Sequence, residues 1–232
     1  MIQGILSTDL DSVRPISDGA VVLASGGLDS SVCLALARRT GGPVLALGFD
    51  YGQRNRIELE RLAQIAMTLD CEVLIVSLDM STWALSGLIG SGIPEISDMS
   101  NYVPARNLVF LAVGASVAEA RGARRLYLGA GAADLHHPDC TPTFLDAFRV
   151  ALAAGLRTPP VLRTPLIGLT KAQIVLAAIE LGVPVHLTWS CHLAGPRPCG
   201  GCAPCCLRRE TFADLGRPDP AEQLSGQPNK GT

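Results

Sequence analysis

Short, continuous runs of apolar residues alternate along the chain with stretches in which apolar positions recur every three or four residues. A continuous run is typical of a strand buried on both faces, and the recurring pattern is typical of a helix. The runs predict strands at 20–24, within 41–49, at 72–78 and at 124–130, with a short extended piece at 161–163; the recurring patterns predict helices at 29–39, 53–69, 105–120, 143–154 and 169–182. This alternation predicts an α/β fold, a doubly wound parallel sheet with helices on both faces.

The pattern changes after the last predicted helix. That helix has clear boundary signals, because Thr170 and Gln173 form a capping box and Gly182 is a stop signal. Beyond it, five cysteines crowd into residues 191–206, and the final residues are rich in Pro, Gly and Asp. We therefore predict an α/β domain at 18–185, a cysteine-rich helical or knuckle segment at 186–215 and a mobile tail at 216–232.

Composition narrows the class of protein. The chain has 232 residues, of which 48% are hydrophobic and 17% charged, and its net charge is −2. These values are typical of a globular domain and argue against direct nucleic-acid binding, which normally requires a basic excess. No apolar run approaches the roughly 18 residues that span a membrane, and the N-terminus lacks the basic start of a signal peptide. We expect a cytoplasmic protein with no membrane partner.

The first predicted strand ends in the sequence Ser-Gly-Gly-Leu-Asp-Ser-Ser, residues 25–31. Gly26 and Gly27 allow a sharp turn that presents backbone N–H groups, and the following helix directs its positive end to the same place. Ser25 and Ser30 add hydroxyl donors, so the segment predicts a phosphate site. It lacks the Gly-Lys-[Ser/Thr] ending of a Walker A loop and the third glycine of a dinucleotide fingerprint. An ordinary glycine turn between strand and helix is the alternative interpretation.

Four of the clustered cysteines have the spacing of a metal site: Cys191, Cys199, Cys202 and Cys205. Four thiolates can close a tetrahedral site that leaves no position for water, which favours structural zinc over a catalytic metal. A tight cluster in a chain without a leader indicates metal rather than a disulfide framework, and a reducing compartment. Ordinary buried cysteines or an iron–sulfur ligand set are the alternatives. Cys206, adjacent to Cys205, is expected to face away from the metal.

Other polar residues follow strand ends or begin helices. Asp50 and Tyr51 lie just past the second strand, where a Rossmann-like unit meets an adenosine, although a polar strand end is a simpler interpretation. Arg106 and Asn107 lie in the first turn of a helix, where an Arg opposes the dipole, which indicates that Arg106 meets an anion. Lys171 begins another helix and could reach a phosphate or remain solvated.

The loop after the fourth predicted strand, residues 129–144, gathers several polar side chains. Asp134, Asp139, Cys140 and a pair of histidines lie within it. A surface loop is the simpler interpretation, and a second metal site is a weaker one because the spacing of these side chains matches no ligand pattern.

Together these stretches resemble the 7-cyano-7-deazaguanine synthases, within the PP-loop ATP pyrophosphatase superfamily. The resemblance covers roughly residues 20–220. The matching motifs are, in chain order, SGGLDSS, FDYGQR (49–54), YVPARN (102–107), HPDCTPTF (137–144), TPLIGLTKAQI (164–174) and LTWSC (187–191) with the CxxCxxC knuckle. The resemblance implies a Rossmann-like sheet of the adenine nucleotide α hydrolase type, and the domain at 18–185 is then the PP-loop domain.

The resemblance implies an ATP-dependent carbon–nitrogen ligase acting on 7-carboxy-7-deazaguanine and ammonia. ATP adenylates the carboxylate, ammonia displaces AMP to leave an amide, and a second ATP drives formation of the nitrile. The family tends to form homodimers. The implied residues are Ser25, Gly26, Gly27, Leu28, Asp29 and Ser30 for pyrophosphate and magnesium; Asp50, Tyr51 and Arg54 near nucleotide and substrate; Arg106 and Asn107 in the substrate or phosphate pocket; Asp134 and Asp139 on the substrate loop; Lys171 on phosphate; and Cys191, Cys199, Cys202 and Cys205 on structural zinc.

The sequence departs from the family pattern on the substrate loop. Gly131 stands where the family has Asn, Thr141 stands where it has Arg, and a loop about one residue shorter carries Leu-His-His at 135–137. One alternative is therefore a related ligase that joins a 7-deazaguanine carboxylate to a protein amine in antiviral defence. A tRNA-modifying transferase would need a basic surface and a paired catalytic cysteine. A non-enzymatic, zinc-stapled interaction module would have no use for the Ser-Gly-Gly loop.

Overall fold

A computed structural model describes residues 15–84, 86–89, 102–193 and 195–223. Five parallel strands form one sheet in the order β3-β2-β1-β4-β5. The strands are β1 Ala20–Leu23, β2 Val44–Asp50, β3 Glu72–Ser77, β4 Arg125–Tyr127 and β5 Val161–Arg163; the helices are α1 Leu28–Arg39, α2 Ile57–Thr68, α3 Arg106–Arg121, α4 Pro142–Gly155, α5 Lys171–Glu180, α6 Ala203–Asp214 and α7 Pro220–Gln223. The predicted doubly wound parallel α/β fold is confirmed.

Strand β1 is the centre of the sheet, and its alternating side chains organise two separate cores. Val21 and Leu23 face helices α3 and α4, where they join Leu111 and Leu145. Ala20 and Val22 face the opposite layer, which α1, α2 and α5 supply. Because successive side chains of a strand point to opposite faces, a fully buried strand needs apolar residues at every position. This requirement explains the continuous apolar run that predicted the strand.

The order of the strands positions the site. From β1 the chain crosses to β2 on one side, and later returns to β4 on the other side. Such a reversal opens a crevice at the carboxyl ends of the central strands, where ligands of α/β proteins bind. The segments that follow β1, β2 and β4 therefore meet at one edge of the sheet.

Helix α2 begins later than the sequence pattern predicts, at Ile57 instead of residue 53. The side chain of Gln53 explains the delay, because it turns back onto strand β2. Its Nε2 donates to the Phe49 carbonyl at 2.9 Å, and its Oε1 accepts from the Tyr51 N–H at 2.8 Å. Gly52, with φ of +87°, makes the turn between them. A side chain that satisfies backbone groups in this way replaces the first helical turn.

The other boundaries agree with the prediction to within a few residues, and the capping box of Thr170 and Gln173 is confirmed. Strand β4 ends at Tyr127, earlier than predicted, because the chain then bends towards the cavity described below. None of the helices in the described ranges has the length and apolar character of a membrane span.

The C-terminal part of the described chain docks onto the domain through an ion pair. Arg208 of α6 donates to both carboxylate oxygens of Asp219, at 2.6 and 2.9 Å, and both side chains are largely buried. Arg208 also donates to Thr188 Oγ1 at 2.8 Å and so ties α6 to the segment before the first clustered cysteine. Residues 224–232 of the predicted tail lie outside the described residues, and the mobility of 216–232 stays a prediction.

Candidate active site

A cavity of about 540 Å³ opens at the carboxyl ends of β1, β2 and β4. The segment 25–30, the end of β2, the start of α3, the loop 129–140, the first turn of α5 and the segment 189–192 contribute to its walls. Eleven of the predicted site residues line it: Ser25, Gly27, Leu28, Asp29, Ser30, Tyr51, Arg106, Asn107, Asp134, Asp139 and Lys171. The structure thus brings together residues that lie up to 146 positions apart in the chain.

The segment Ser25–Ser30, called the phosphate loop below, is held by its own serines. Ser30 Oγ accepts from the Ser25 N–H at 3.2 Å and donates to the Gly27 carbonyl at 3.1 Å. Ser31 Oγ donates to the same carbonyl at 2.7 Å. Gly27 is the N-cap of α1 and provides no capping side chain, so the first N–H groups of the helix are available to an anion in the cavity.

Gly26 fixes where the phosphate loop lies. Its φ of +81° is the left-handed conformation, and a Cβ at this position would lie 2.3 Å from the carbonyl oxygen of Glu58. On its other side, the Gly26 carbonyl accepts from the Trp189 N–H at 2.9 Å. Helix α2 and the segment 189–191 therefore enclose the loop backbone, and only glycine has both the space and the conformation for this position.

Asp29 and Lys171 form an ion pair at the base of the cavity. Lys171 Nζ, at the start of α5, donates to both carboxylate oxygens of Asp29 at 2.8 Å. Burial raises the pKa of Asp29, and the Lys171 ammonium opposes that rise. About a fifth to a quarter of each side chain remains exposed to the cavity, so both groups can reach a ligand.

Arg106 lies on the opposite wall, at the first position of α3. The preceding residue, Ala105, has φ of +54°, a conformation that is strained for a residue with a Cβ. Arg106 Nη1 donates to Tyr51 Oη at 3.3 Å, and the guanidinium carbon lies 5.7 Å from the centre of the Tyr51 ring. Beside them, the rings of Phe49 and Phe110 stack 4.0 Å apart. This wall offers one cation and flat aromatic surfaces to a planar ligand.

The loop 131–140 closes the cavity with its own hydrogen bonds. Asp134 Oδ2 accepts from the Gly131 N–H at 2.8 Å, and Asp139 Oδ2 accepts from the Asn107 N–H at 2.7 Å. Asn107 Nδ2 contacts Cys140 Sγ at 3.0 Å. Burial raises the pKa of the Cys140 thiol to about 12, so this cysteine is a protonated wall group and not a nucleophile.

The two histidines of the shortened loop also line the cavity. The rings of His136 and His137 lie 3.9 Å apart, and His137 stacks on Tyr102 at 6.0 Å. Partial burial and the neighbouring His136 lower the pKa of His137. His137 therefore presents an uncharged ring at neutral pH.

Asp50 and Arg54 lie apart from the other predicted residues. Together with Arg56, which pairs with Asp50, they line a separate, polar depression on the far side of the β2–α2 connection. Their assignment to nucleotide or substrate stays a prediction. Much of the long connection predicted to be functional also lies outside the described residues, namely 85 and 90–101, although Leu88, Tyr102 and Val103 of its flanks line the cavity.

Among the cavity-wall residues that sequence reasoning missed are Asn55, Glu58, Trp189 and Arg208. In the sequence, Glu58 reads as an acidic residue that complements the N-terminal dipole of a helix. In the structure, burial raises the pKa of Glu58 to about 7, although Arg106 and the amides of Gln53 and Asn55 act to lower it. Burial that depends on distant segments leaves no local signal, so a single sequence does not reveal these residues.

The four predicted metal ligands meet in space. The sulfur atoms of Cys191, Cys199, Cys202 and Cys205 lie within 4.8 Å of one another, so the cluster could bind a metal. Backbone N–H groups of Leu193 and Cys199 donate to Cys191 Sγ at 3.4 and 3.3 Å, which stabilises a sulfur that carries negative charge. Cys206, as expected, does not belong to this group of ligand atoms.

The cysteine cluster is connected to the phosphate loop. The Cys191 carbonyl accepts from Trp189 Nε1 at 2.9 Å and from Asn55 Nδ2 at 3.3 Å. Trp189 in turn donates its backbone N–H to Gly26. Through these hydrogen bonds the cysteine cluster helps to hold the phosphate loop in place.

We expect Gly26→Ala to destabilise the protein by at least about 2 kcal/mol, because it combines a left-handed backbone with a collision against α2. The melting temperature should fall by at least about 4 °C, measured by thermal denaturation. Gly27→Ala is the matched control: its Cβ would meet only Ser25 Oγ at 3.2 Å and the Trp189 carbonyl at 3.5 Å, and its φ is ordinary. Equal losses in the two variants would contradict the role assigned to Gly26.

We expect Cys205→Ser to lower the bound metal per chain and to reduce the melting temperature by about 10 °C or more, because a structural metal contributes on the order of 10 kcal/mol to folding. Inductively coupled plasma mass spectrometry gives the metal content. Cys206→Ser changes the neighbouring thiol and should retain the metal. A loss of metal in both variants, or in neither, would refute the assignment of the cluster.

Comparison with known proteins identifies the family to which the chain belongs. The family model described as "Queuosine biosynthesis protein QueC" matches residues 19–216. A protein named 7-cyano-7-deazaguanine synthase from Synechococcus sp. (strain CC9902) is 42% identical over 221 residues, which cover 89% of this chain and 98% of that protein. A synthase of the same name from Thermoplasma acidophilum is 40% identical over 217 residues, covering 88% and 91% of the two chains.

Among solved structures, the NMN synthetase from Francisella tularensis has a similar fold, with a TM-score of 0.50 at 16% identity over 90% of this chain and 82% of that one. At this identity the likeness shows the shared α/β architecture alone. The family model, in contrast, spans the phosphate loop, the cavity and all four clustered cysteines. The chain therefore belongs to the QueC family of queuosine biosynthesis proteins.

Proposed function

We propose that this chain is a 7-cyano-7-deazaguanine synthase, an ATP-dependent carbon–nitrogen ligase that converts 7-carboxy-7-deazaguanine and ammonia into the nitrile. The observation that carries the proposal is one cavity in which an anion-binding loop faces an aromatic wall with a cation. A nucleoside triphosphate fits the first part and a planar carboxylate substrate fits the second. Two relatives with this name match at 42% and 40% identity over 89% and 88% of the chain.

The chemistry explains why both parts are needed. A carboxylate is a poor electrophile because its oxygen is a poor leaving group, so ATP first converts it into an acyl adenylate and pyrophosphate departs. Ammonia then displaces AMP and leaves an amide. A second ATP adenylates the amide oxygen, and departure of that oxygen with AMP gives the nitrile. Both activations use the same site. The protein contributes positioning and charge stabilisation, and no covalent intermediate with a side chain is required.

The phosphate loop and Lys171 hold the departing pyrophosphate. The N–H groups at the start of α1 and the hydroxyls of Ser25 and Ser30 donate to its oxygens. In the structure Lys171 is paired with Asp29, and a bound triphosphate competes for its ammonium. Asp29 would then be free to hold magnesium, which would neutralise charge on the phosphates. A buried carboxylate and its cation can exchange partners in this way without leaving an unpaired charge in the cavity.

The opposite wall receives the deazaguanine. Phe110 and Tyr51 offer ring faces to its planar system, and Arg106 pairs with its carboxylate or with the α-phosphate. Asp134 and Asp139 fix the loop over the substrate by accepting from the backbone N–H groups of Gly131 and Asn107, respectively. His136 and His137 line the same cavity, so we expect the loop that carries them to influence the choice of acceptor or product.

The cysteine cluster would hold a structural zinc ion. Four thiolates with sulfur atoms within 4.8 Å fit a tetrahedral zinc site with no vacant position. Zinc bound there supplies a rigid anchor and no reactive water. Through the Cys191 carbonyl, Asn55 and Trp189, that anchor fixes one side of the phosphate loop.

The product identifies the reaction. Purified protein is given ATP, magnesium, 7-carboxy-7-deazaguanine and ammonium, and the products are measured by mass spectrometry. We expect 7-cyano-7-deazaguanine together with AMP and pyrophosphate. AMP release with no free nitrile, and with a mass increase on an added protein, would replace the synthase by a ligase acting on a protein amine. No pyrophosphate release with this acid would refute both.

We expect Lys171→Met to lower kcat/KM for ATP by about 100-fold or more, because one preorganised cation on the developing phosphate charge has an effect of this size. Pyrophosphate release gives the rate. Arg39→Met, which removes an exposed cation from the far end of α1, is the control and should retain activity. A loss smaller than about threefold at Lys171 would mean that it does not contact phosphate.

A further inference from the structure

Glu58 is a carboxylate that the proposed mechanism leaves without a role. It lies on the first turn of α2 and lines the cavity. Gln53 Nε2 donates to its Oε1 at 3.2 Å, and Asn55 Nδ2 donates to its Oε2 at 2.8 Å. Each oxygen thus has one fixed donor and one lone pair left, so the carboxylate is held in one orientation as an acceptor.

Its position is tied to the phosphate loop. The backbone carbonyl of Glu58 packs against Gly26, close enough that a single added carbon would collide with it. Asn55, which orients the carboxylate, also donates to the Cys191 carbonyl, and Trp189 in the same segment donates to Gly26. Loop and carboxylate therefore share one rigid frame, and both line the same cavity.

The charges that face Glu58 come from two other elements. The Arg106 guanidinium of α3 acts to lower the pKa of Glu58, and the Glu58 carboxylate acts to raise the pKa of the Tyr51 phenol, just past β2. The amides of Gln53 and Asn55 are neutral. Glu58 takes part in none of the ion pairs among the described residues. Burial raises its pKa to about 7. It can therefore exchange a proton near neutral pH and still accept a small cation.

The proposed reaction has a step that needs such a group. Ammonia is present at neutral pH almost entirely as ammonium, which has no lone pair and cannot attack. Resting on the proposed function, we propose that Glu58 is a catalytic residue that binds the incoming ammonium and takes one proton from it. The freed lone pair forms the C–N bond to the acyl carbon, and the C–O bond to AMP breaks with its electron pair on the AMP oxygen. The nitrogen loses its second proton to the departing phosphate or to water.

The test compares ammonium with hydroxylamine, a nucleophile that is already largely unprotonated at neutral pH. Both react with the acyl adenylate, and hydroxylamine gives a hydroxamate that forms a coloured iron(III) complex. The variant is Glu58→Gln, and Glu60→Gln, an exposed change on the same helix, is the matched control. The measured quantity is kcat/KM for each nucleophile, with ATP and 7-carboxy-7-deazaguanine saturating.

We expect Glu58→Gln to lower kcat/KM for ammonium at neutral pH by about 100-fold or more, the usual effect of a general base. Its hydroxamate formation should remain within about fivefold of the unsubstituted protein, because that reaction needs no base. Since hydroxamate forms only from the acyl adenylate, retained hydroxamate formation would also show that the variant is folded and activates the acid. Equal losses with both nucleophiles, or no loss with ammonium, would overturn the proposal.

The unsubstituted protein provides a second measurement that does not depend on the variant. With total ammonium held constant, kcat/KM should rise through the pKa of Glu58, about 7, and level off above it. Use of free ammonia from solution would instead give a rise of about tenfold per pH unit that continues to about pH 9, and that result would overturn the proposal. Absence of hydroxamate from the unsubstituted protein would refute the proposed function itself.

Discussion

The site depends on the close approach of three backbone segments at Gly26. Helix α2 packs so closely on this glycine that a Cβ there would lie 2.3 Å from the Glu58 carbonyl oxygen. The Trp189 N–H donates to the Gly26 carbonyl. Backbone contacts of this kind do not change when side chains change rotamer, so the phosphate loop is rigid before any ligand binds. Preorganised donors avoid the free energy of reorganisation when charge develops on the phosphates. The glycine therefore connects the packing of the fold to its catalytic power.

The cysteine cluster extends this constraint from a distant part of the chain. Residues 191–205 lie more than 160 positions beyond the phosphate loop, yet the Cys191 carbonyl receives hydrogen bonds from both Asn55 and Trp189. Arg208 and Asp219 secure the helix that carries Cys205. A metal at this cluster can affect activity without touching substrate, because it holds one of the segments that enclose Gly26. The carbonyls of Cys191 and Gly26 therefore connect the cysteine cluster to the phosphate loop.

The sequence predicts the scaffold well because the scaffold depends on local patterns. The fully apolar β1, the glycine pair after it and the capping box of Thr170 each have one physical cause that acts over a few residues. The spacing of the four clustered cysteines predicts a metal site for the same reason, because metal binding needs particular ligand atoms at short spacing. The start of α2 was predicted too early because the side chain of Gln53 replaces a helical turn, which apolar periodicity does not record. Glu58 was missed because its burial comes from α3 and the segment 189–191, which are remote in sequence.

The charges of the cavity explain why those remote contacts matter for function. Asp29 is neutralised by Lys171 at 2.8 Å, whereas Glu58 has neutral amides as its direct partners and Arg106 farther away. In the proposed reaction, the negative charges of a triphosphate would draw on Lys171 and the helix N-terminus and would leave Asp29 to a divalent cation. In the proposed reaction Glu58 stays outside this exchange, because its fixed partners are neutral amides. Its backbone carbonyl packs against Gly26, so the carboxylate belongs to the same frame as the phosphate loop. The proposed reaction therefore uses the two carboxylates differently, Asp29 for the nucleotide and its cation and Glu58 for the nucleophile.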